Sequence, residues 1–521
     1  MDYQEQQNDQ KREQKKRKLM RIALVTIAFP KTLEDDPPFR ASWELAVQYA
    51  AQGHDVLVLT LADEDAGEDV QHQTFGKIQV LRKRFATDKH PGLHVPPMGT
   101  FFRVLGQSAD LYNASLEKLR EFKPDVIECQ EFNGLGFFFA DSHEYPLVIR
   151  CHGPLATLLR CGILGKATVA NTELVAALEL STLAEADGII SLCDDLVDEL
   201  SSQSHIEKDR FTVIRTPFSR LPSQKQASSV GMRETIWAKD THPRLLFWGR
   251  VERQKGCDTL AECLPHIKKE FPNFALVIAG SEPLELDETR PYADSMREKL
   301  KEYGVDTNVK FLGFMPRATI ESAAKEADLC LFPSQYETAS YSCLEAMSYG
   351  ACVIASKVGG LKEYVRHGET GWHVPVGDAT ALSKAIITLT NDADLRHRLG
   401  SAARESIATM CDPQKIAQES LSIYQRAIER HKLTGGARSP AFKIFAEKLS
   451  LYMYDWSLVQ HIRDLGEEIY GRGWKQGYAE GLAAARAEAG QSGFPDANTN
   501  ETGAHSKLSG IVSSVLRSIK R

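Results

Sequence analysis

The chain has 521 residues, 42% of them hydrophobic and 26% charged, a balance that excludes a disordered or fibrous protein and provides for two or three domains with their own cores. Lys and Arg number 63 against 70 Asp and Glu, and no domain-wide basic excess is present, so nucleic acid is set aside as a main partner. No apolar run approaches the roughly 18 residues of a membrane span, and the ten cysteines include no Cys-x-x-Cys pair, which favours reduced thiols in a cytoplasmic protein over zinc ligands.

Residues 1–19 are polar and charged and read as a mobile basic arm. The basic run Lys11–Lys18 followed by the apolar Leu19–Phe29 mimics a signal peptide, but Arg21 interrupts the run and no small-residue cleavage site follows, so Arg21–Ala28 reads as a first buried strand. From there β-rich runs alternate with helical segments. RIALVTIAF precedes the amphipathic FRASWELAVQYAAQGH, and DVLVLTL, KIQVLRK, DVIECQ, LVIRCHG, GIISLCD and FTVIRT continue the series. Nearly continuous apolar strands between helices predict a parallel sheet covered on both faces, here over 20–217.

The polar stretch SRLPSQKQASSVGM marks an interdomain linker over 218–242. A second series over 243–411 holds RLLFWGR, FALVIAG, NVKFLGF, LCLFPS, CVIAS and GWHVPV. Helices are expected at Asp412–Arg430 and Phe442–Arg463. Residues 466–521 form a helical and flexible tail, with Gly473, Gly477 and Gly481 at four-residue spacing and an apolar stripe with basic flanks over 507–521. That stripe suits peripheral contact with an anionic membrane, and equally docking on protein; the glycines suit helix packing between the subunits of a homo-oligomer.

Ligands of such sheets lie beyond the carboxyl ends of the strands, which directs attention to two loops. After LCLF comes a polar loop with Glu337, then a helix from about Ser342 with Glu345 in its first turn. A helix N-terminus suits a diphosphate. Carboxylates on either side can take pairs of vicinal hydroxyls, and the small Ala339 and Ser340 let a ligand approach the backbone. The same residues fit an acidic loop whose Glu stabilises the helix dipole. After RLLFWG, Arg250 and Lys255 lie on the same sheet edge, an Arg fork and a Lys point charge suited to a diphosphate or merely two solvated cations.

In order, GRVERQKG, LVIAGSEP, VKFLGFMP, PSQYETASYSCLEAMSYG and SKVGGLKEYVRHGETGWHVPVGD resemble the large retaining glycosyltransferase family four, the glycosyl transferases group 1, closely over 244–380 and loosely over 20–217. The resemblance implies an α/β protein of GT-B fold: two Rossmann-like parallel-sheet domains facing a cleft, plus a C-terminal helical extension. The first domain would take the acceptor, the second the donor, and helices over 412–465 would cross back to the first. It implies a metal-independent, retaining hexosyltransferase that needs no cofactor and moves a sugar from a nucleotide-diphosphate donor to a carbohydrate, lipid-linked or small-molecule acceptor. A non-catalytic nucleotide-sugar-binding scaffold of the same fold is the runner-up.

Roles follow by position. Arg250 and Lys255 match the diphosphate clamp, Glu337 the contact to the donor sugar's hydroxyls, and Glu345 the grip on the ribose. Phe314 and Met315 match the stretch beside the base. Gly249, Ala339, Ser340, Tyr341 and Ser342 complete the donor-binding set, and His152 matches the cleft histidine. Two departures stand out. FPKTLEDDPPFRASWE lacks the Gly-Gly pair common after the first strand, leaving Arg40 as a substitute phosphate contact, and VIRTPFSR lacks an Asn-Gly turn. The acidic clusters Glu34–Asp36 and Asp63–Asp69 read as solvated loops, since the clamp already supplies positive charge.

Overall fold

A computed structural model describes residues 19–31, 40–62, 68–85, 99–163, 169–204, 206–219, 236–283 and 291–435. The basic arm up to residue 18, the Glu34–Asp36 cluster, most of the linker, the Phe442–Arg463 helix, the glycine-spaced helix and the 507–521 stripe lie outside the described residues. All described residues belong to one unit, Met1–Phe442.

The first sheet comprises β1 (Arg21–Thr26), β2 (Asp55–Ala62), β3 (Val70–Phe75), β4 (Ile78–Arg84), β5 (Val126–Gln130), β6 (Leu147–Cys151), β7 (Gly188–Ser191) and β8 (Phe211–Val213), in the order β3-β4-β2-β1-β5-β6-β7-β8. Its strands pair in parallel except β3, which runs antiparallel to β4 and corrects the expectation of a wholly parallel sheet. VQHQTF carries too little apolar surface for a buried strand, and it occupies the half-exposed sheet edge instead. Around the sheet lie α1 (Arg40–Ala51), α2 (Gly99–Phe122), α3 (Phe137–Ser142), α4 (Leu155–Arg160), α5 (Val169–Glu185) and α6 (Asp194–Ser204). Successive β1 residues face opposite sides: Ala23 and Val25 join one core, Ile22 and Leu24 the other.

The second sheet comprises β9 (Arg244–Trp248), β10 (Ala275–Ala279), β11 (Val309–Phe311), β12 (Leu329–Phe332), β13 (Val353–Ser356) and β14 (Trp372–Val374). It is parallel throughout, in the order β11-β10-β9-β12-β13-β14. Its helices are α7 (Cys257–Glu270), α8 (Tyr292–Glu302), α9 (Arg317–Glu326), α10 (Tyr341–Tyr349), α11 (Leu361–Tyr364), α12 (Ala379–Thr390) and α13 (Ala393–Met410). Strand order reverses at β9, between β10 and β12, so the loops after β9 and β12 flank the switch point where ligands of such sheets bind.

The chain then returns to the first sheet. Helix α14 (Pro413–Thr434) starts at Asp412, whose carboxylate accepts the Gln414 amide at 2.9 Å, with Pro413 pre-set for the first turn. Its apolar face (Ile416, Leu421, Ile423, Tyr424) packs with Ile22, Leu24 and Tyr49 of the first half. The described ends of the 218–242 segment are not wholly solvated: Phe218 and Trp237 are buried in a core of the second half, while Ala238, Lys239 and Asp240 are exposed. The halves also meet at α11. The Glu363 carboxylate accepts the Asp194 and Asp195 amides at the start of α6 (3.2 and 3.1 Å) and pairs with Arg215, while the Thr216 amide donates to the Tyr364 hydroxyl at 3.1 Å.

Candidate functional site

The two loops singled out in the sequence meet. Lys255 closes a short 3-10 turn after β9, and its ammonium is ion-paired with the Glu337 carboxylate from the loop after β12. Glu337 is buried and also accepts the Ser334 hydroxyl at 3.3 Å. Two glycines fix this junction. At Gly256 the backbone is left-handed (φ +71°), and a Cβ there would overlap the Pro333 carbonyl oxygen. Gly360 donates its amide to the Glu337 carbonyl at 2.7 Å, and a Cβ there would overlap the Thr338 carbonyl. A Gly256→Ala substitution is therefore expected to displace the Lys255 loop, costing about 1–3 kcal/mol in stability and weakening nucleoside diphosphate binding. Calorimetric titration beside a denaturant melt checks this; unchanged binding with unchanged stability would refute the tight fit.

Glu345 is the fifth residue of α10, not part of its first turn, because the helix begins at Tyr341. From the second turn its carboxylate lies beside three donors: Arg40 (3.2 Å), Arg317 (3.4 Å) and the Trp248 indole N–H (3.4 Å). Arg40, proposed from sequence as a phosphate contact, is buried in an internal site. Its guanidinium bonds Glu44 at 3.2 Å and the Ser219 carbonyl, and stacks 4.3 Å over the Phe218 ring. The Glu345 carboxylate of the second half is thus tied, through Arg40, to the first helix and to the start of the linker.

The remaining residues singled out in the sequence are spread around this centre. Arg250 points to solvent, its side chain 58% exposed, and pairs with Glu252 of its own loop at 3.0 Å. Gly249 faces the start of α10, where a Cβ would come 3.8 Å from the Ser342 hydroxyl. Ser340 is buried and gives the helix no side-chain cap, so the first amides of α10 are not taken by it. Ala339 packs against the apolar core, and the Tyr341 hydroxyl reaches Thr216 at 2.9 Å and the Pro217 carbonyl at 3.3 Å. Phe314 is 80% exposed, whereas Met315 packs against the core.

His152 joins the group from the first half. It follows β6, and its carbonyl accepts the Thr338 hydroxyl, the residue after Glu337. Burial, with a smaller contribution from Arg150, lowers the imidazole pKa to about 3, so the ring is neutral at pH 7. Its Nε2 is enclosed and has no hydrogen-bond partner among the described residues. A neutral ring of this kind can donate to or accept from a hydroxyl without adding charge.

Sequence reasoning missed Trp248 and Arg317 as partners of Glu345. The first stands one residue before Gly249, and the second directly follows the FMP stretch. It also missed Thr338, and two buried carboxylates behind His152, Glu131 and Glu179. Among the described residues no group of three or more His, Cys, Asp or Glu side chains could hold a metal ion, and no helix is long and apolar enough to cross a membrane.

Comparison with known proteins bears on this arrangement. A family model described as glycosyl transferases group 1 matches residues 232–406, and one described as a glycosyl transferase 4-like domain matches residues 40–217, together more than half of the chain. The chain belongs to the glycosyl transferases group 1. An uncharacterized glycosyltransferase of Methanocaldococcus jannaschii is 27% identical to this glycosyltransferase over 79% of the chain and 99% of the relative. Among solved structures, sucrose-phosphate synthase from Thermosynechococcus elongatus superposes with a TM-score of 0.61 at 21% identity, over 79% of this chain and 99% of that one. The Anabaena protein HepE in complex with UDP-glucose superposes at 0.55 and 21% identity, over 77% and 99%. Both share the two-domain GT-B fold described above.

Proposed function

We propose that this glycosyltransferase is a metal-independent, retaining enzyme that moves a hexosyl group from a nucleoside-diphosphate sugar to a carbohydrate, lipid-linked or small-molecule acceptor. The observation that carries the reading is the meeting of Lys255 and Glu337 beside the start of α10, with His152 adjacent through Thr338. The family membership and the UDP-glucose in the HepE structure support a nucleotide sugar as donor. The ten cysteines, all free thiols and nine of them buried, fit a reducing, cytoplasmic setting.

In this reading the donor lies across the loops after β9 and β12. Glu337 holds the sugar hydroxyls and Glu345 the ribose, while Lys255 and the α10 amides face the diphosphate and Arg250 stands on the solvent side of its loop. The bond from the anomeric carbon to the diphosphate oxygen breaks as negative charge builds beside Lys255. The acceptor oxygen bonds the same face of that carbon, and its proton passes to the departing phosphate, so configuration is kept. The lysine supplies at the leaving group the charge that a metal supplies in other transferases.

The test begins with thermal shift against UDP, GDP and ADP. At a hundredfold excess over Kd, the matching nucleotide is expected to stabilise the protein by about 2.7 kcal/mol. Transfer from the matching sugars, with and without EDTA, is then followed by NMR of the product's anomeric proton. A product of inverted configuration or loss of activity in EDTA would overturn the mechanism, and no response to any of the three nucleotides would overturn the donor class.

A further inference from the structure

Behind His152 the structure places two carboxylates with an unusual set of partners. Glu131 directly follows β5 and is 0% exposed. Its oxygens accept the amide of His152 (2.8 Å to each) and the amide of Gly153 (2.6 Å). Glu179 of α5, also buried, accepts the amides of Asn133 (2.8 Å) and Leu155 (2.7 Å). Four main-chain amides from the loops after β5 and β6 therefore end on two carboxylates, and Asn133 is held in the left-handed region (φ +55°). Among the described residues, neither carboxylate hydrogen-bonds a cationic side chain. A buried carboxylate without a cation costs more in desolvation than its amide bonds return as stability, so the pair is a poor device for stability alone. It is a good device for fixing the direction of two consecutive amides, which fixes the Cα–Cβ vector of the residue between them.

We propose that Glu131 is a positioning residue for transfer: its carboxylate clamps the His152–Gly153 backbone and thereby aims the His152 ring into the cleft. The proposal rests on the reading of His152 given above. Glu179 braces the flanking residues of the same two loops, so Glu131 sets the ring and Glu179 sets the loops.

The ionisation of Glu131 gives the clamp a signature. Burial pushes its pKa up to about 7, against the lowering effect of the Gly153 and His152 amides. The titratable groups around it are Glu179 on α5, Cys129 and Glu128 on β5, Cys151 and Arg150 on β6, and His152 itself. Of these, Glu179 and both thiols are raised by burial, Arg150 stays cationic, and His152 stays neutral at pH 7. The carboxylate that accepts both amides is thus lost as pH falls through about 7, and turnover is expected to fall with it.

The test uses the full-length chain with Glu131→Gln, His152→Ala and the double substitution. Glu131→Gln puts an amide N–H₂ where the backbone offers only donors, and is expected to lower kcat about 10²-fold. Donor KM and nucleoside diphosphate affinity stay within about twofold, and the acid limb near pH 7 disappears. In the His152→Ala background the same change is expected to add nothing. Equal losses of kcat in both backgrounds, or a donor KM that rises in step with the loss of kcat, would overturn the clamp. If the wild-type chain transfers no sugar, the functional reading fails separately, and 15N NMR of the His152 ring still decides the clamp. Glu131→Gln is then expected to shift the ring resonances selectively, and unshifted resonances overturn it.

Discussion

Replacing Lys255 with alanine is expected to lower kcat about 10²–10³-fold, the loss seen when one preorganised charge-stabilising donor is removed from an active site. The expectation follows from position. Lys255 is held by Glu337, in a loop whose path Gly256 fixes against Pro333, so under the proposed mechanism its charge is in place before the diphosphate leaves and needs no reorganisation during the reaction. The cost in stability is smaller, about 1–3 kcal/mol, because Glu337 loses one charged donor and keeps the Ser334 hydroxyl. Glu337→Ala should behave alike. The double variant should lose little more than the worse single one, since the two side chains act as a unit. Single-turnover kinetics with saturating donor, beside circular dichroism to show retained fold, read this directly. Wild-type kcat in Lys255→Ala would remove the lysine from the mechanism.

The sequence made this pair legible because each residue follows a continuous apolar strand, and adjacent parallel strands bring their following loops to one edge. LLFW and LCLF are buried at almost every position and bounded by Gly or Pro, so period and composition agree. Strand β3 was illegible for the opposite reason: Gln71, His72 and Gln73 give it no apolar face, and its pairing with β4 comes from the Gly76 turn and the free sheet edge. The placement of Glu345 slipped by one residue, from the fourth to the fifth of its helix, because helix ends carry the weakest local signal. Its partners could not be read at all, since Arg40 stands 305 positions away and only the closed arrangement of both halves joins them. The buried Glu131 and Glu179 were passed over because carboxylates are mostly exposed; nothing in IECQEF or VAALELS marks the amides that hold them. Phe218 and Trp237 did carry a signal, two aromatics in a polar stretch, and both are core residues.

The same logic of long-range pairing underlies the largest stability effect expected. Glu128 on β5 and Arg150 on β6 form a buried two-pronged ion pair, with Nε and Nη2 of the arginine 3.0 and 2.9 Å from the two carboxylate oxygens. Helix α14 closes it: Ser420 accepts from Arg150 at 2.7 Å, and Tyr424 donates to Glu128 at 2.7 Å while its hydroxyl meets that of Tyr49 at 2.8 Å. Burial works against the arginine cation, but Glu128 outweighs it and holds the guanidinium above its usual range. Glu128→Ala leaves that cation enclosed, with its Nη1 already lacking a partner among the described residues, and should cost about 3–5 kcal/mol. Tyr424→Phe removes one charge-assisted bond and should cost about 1.5–3 kcal/mol. Because the network joins α14 to the first sheet, the loss should appear as lower urea resistance of the first half, with earlier proteolysis around α14. A loss below about 1 kcal/mol for Glu128→Ala would mean that apolar packing of Ile416, Leu421 and Ile423 alone docks the helix, and that the ion pair is incidental to it.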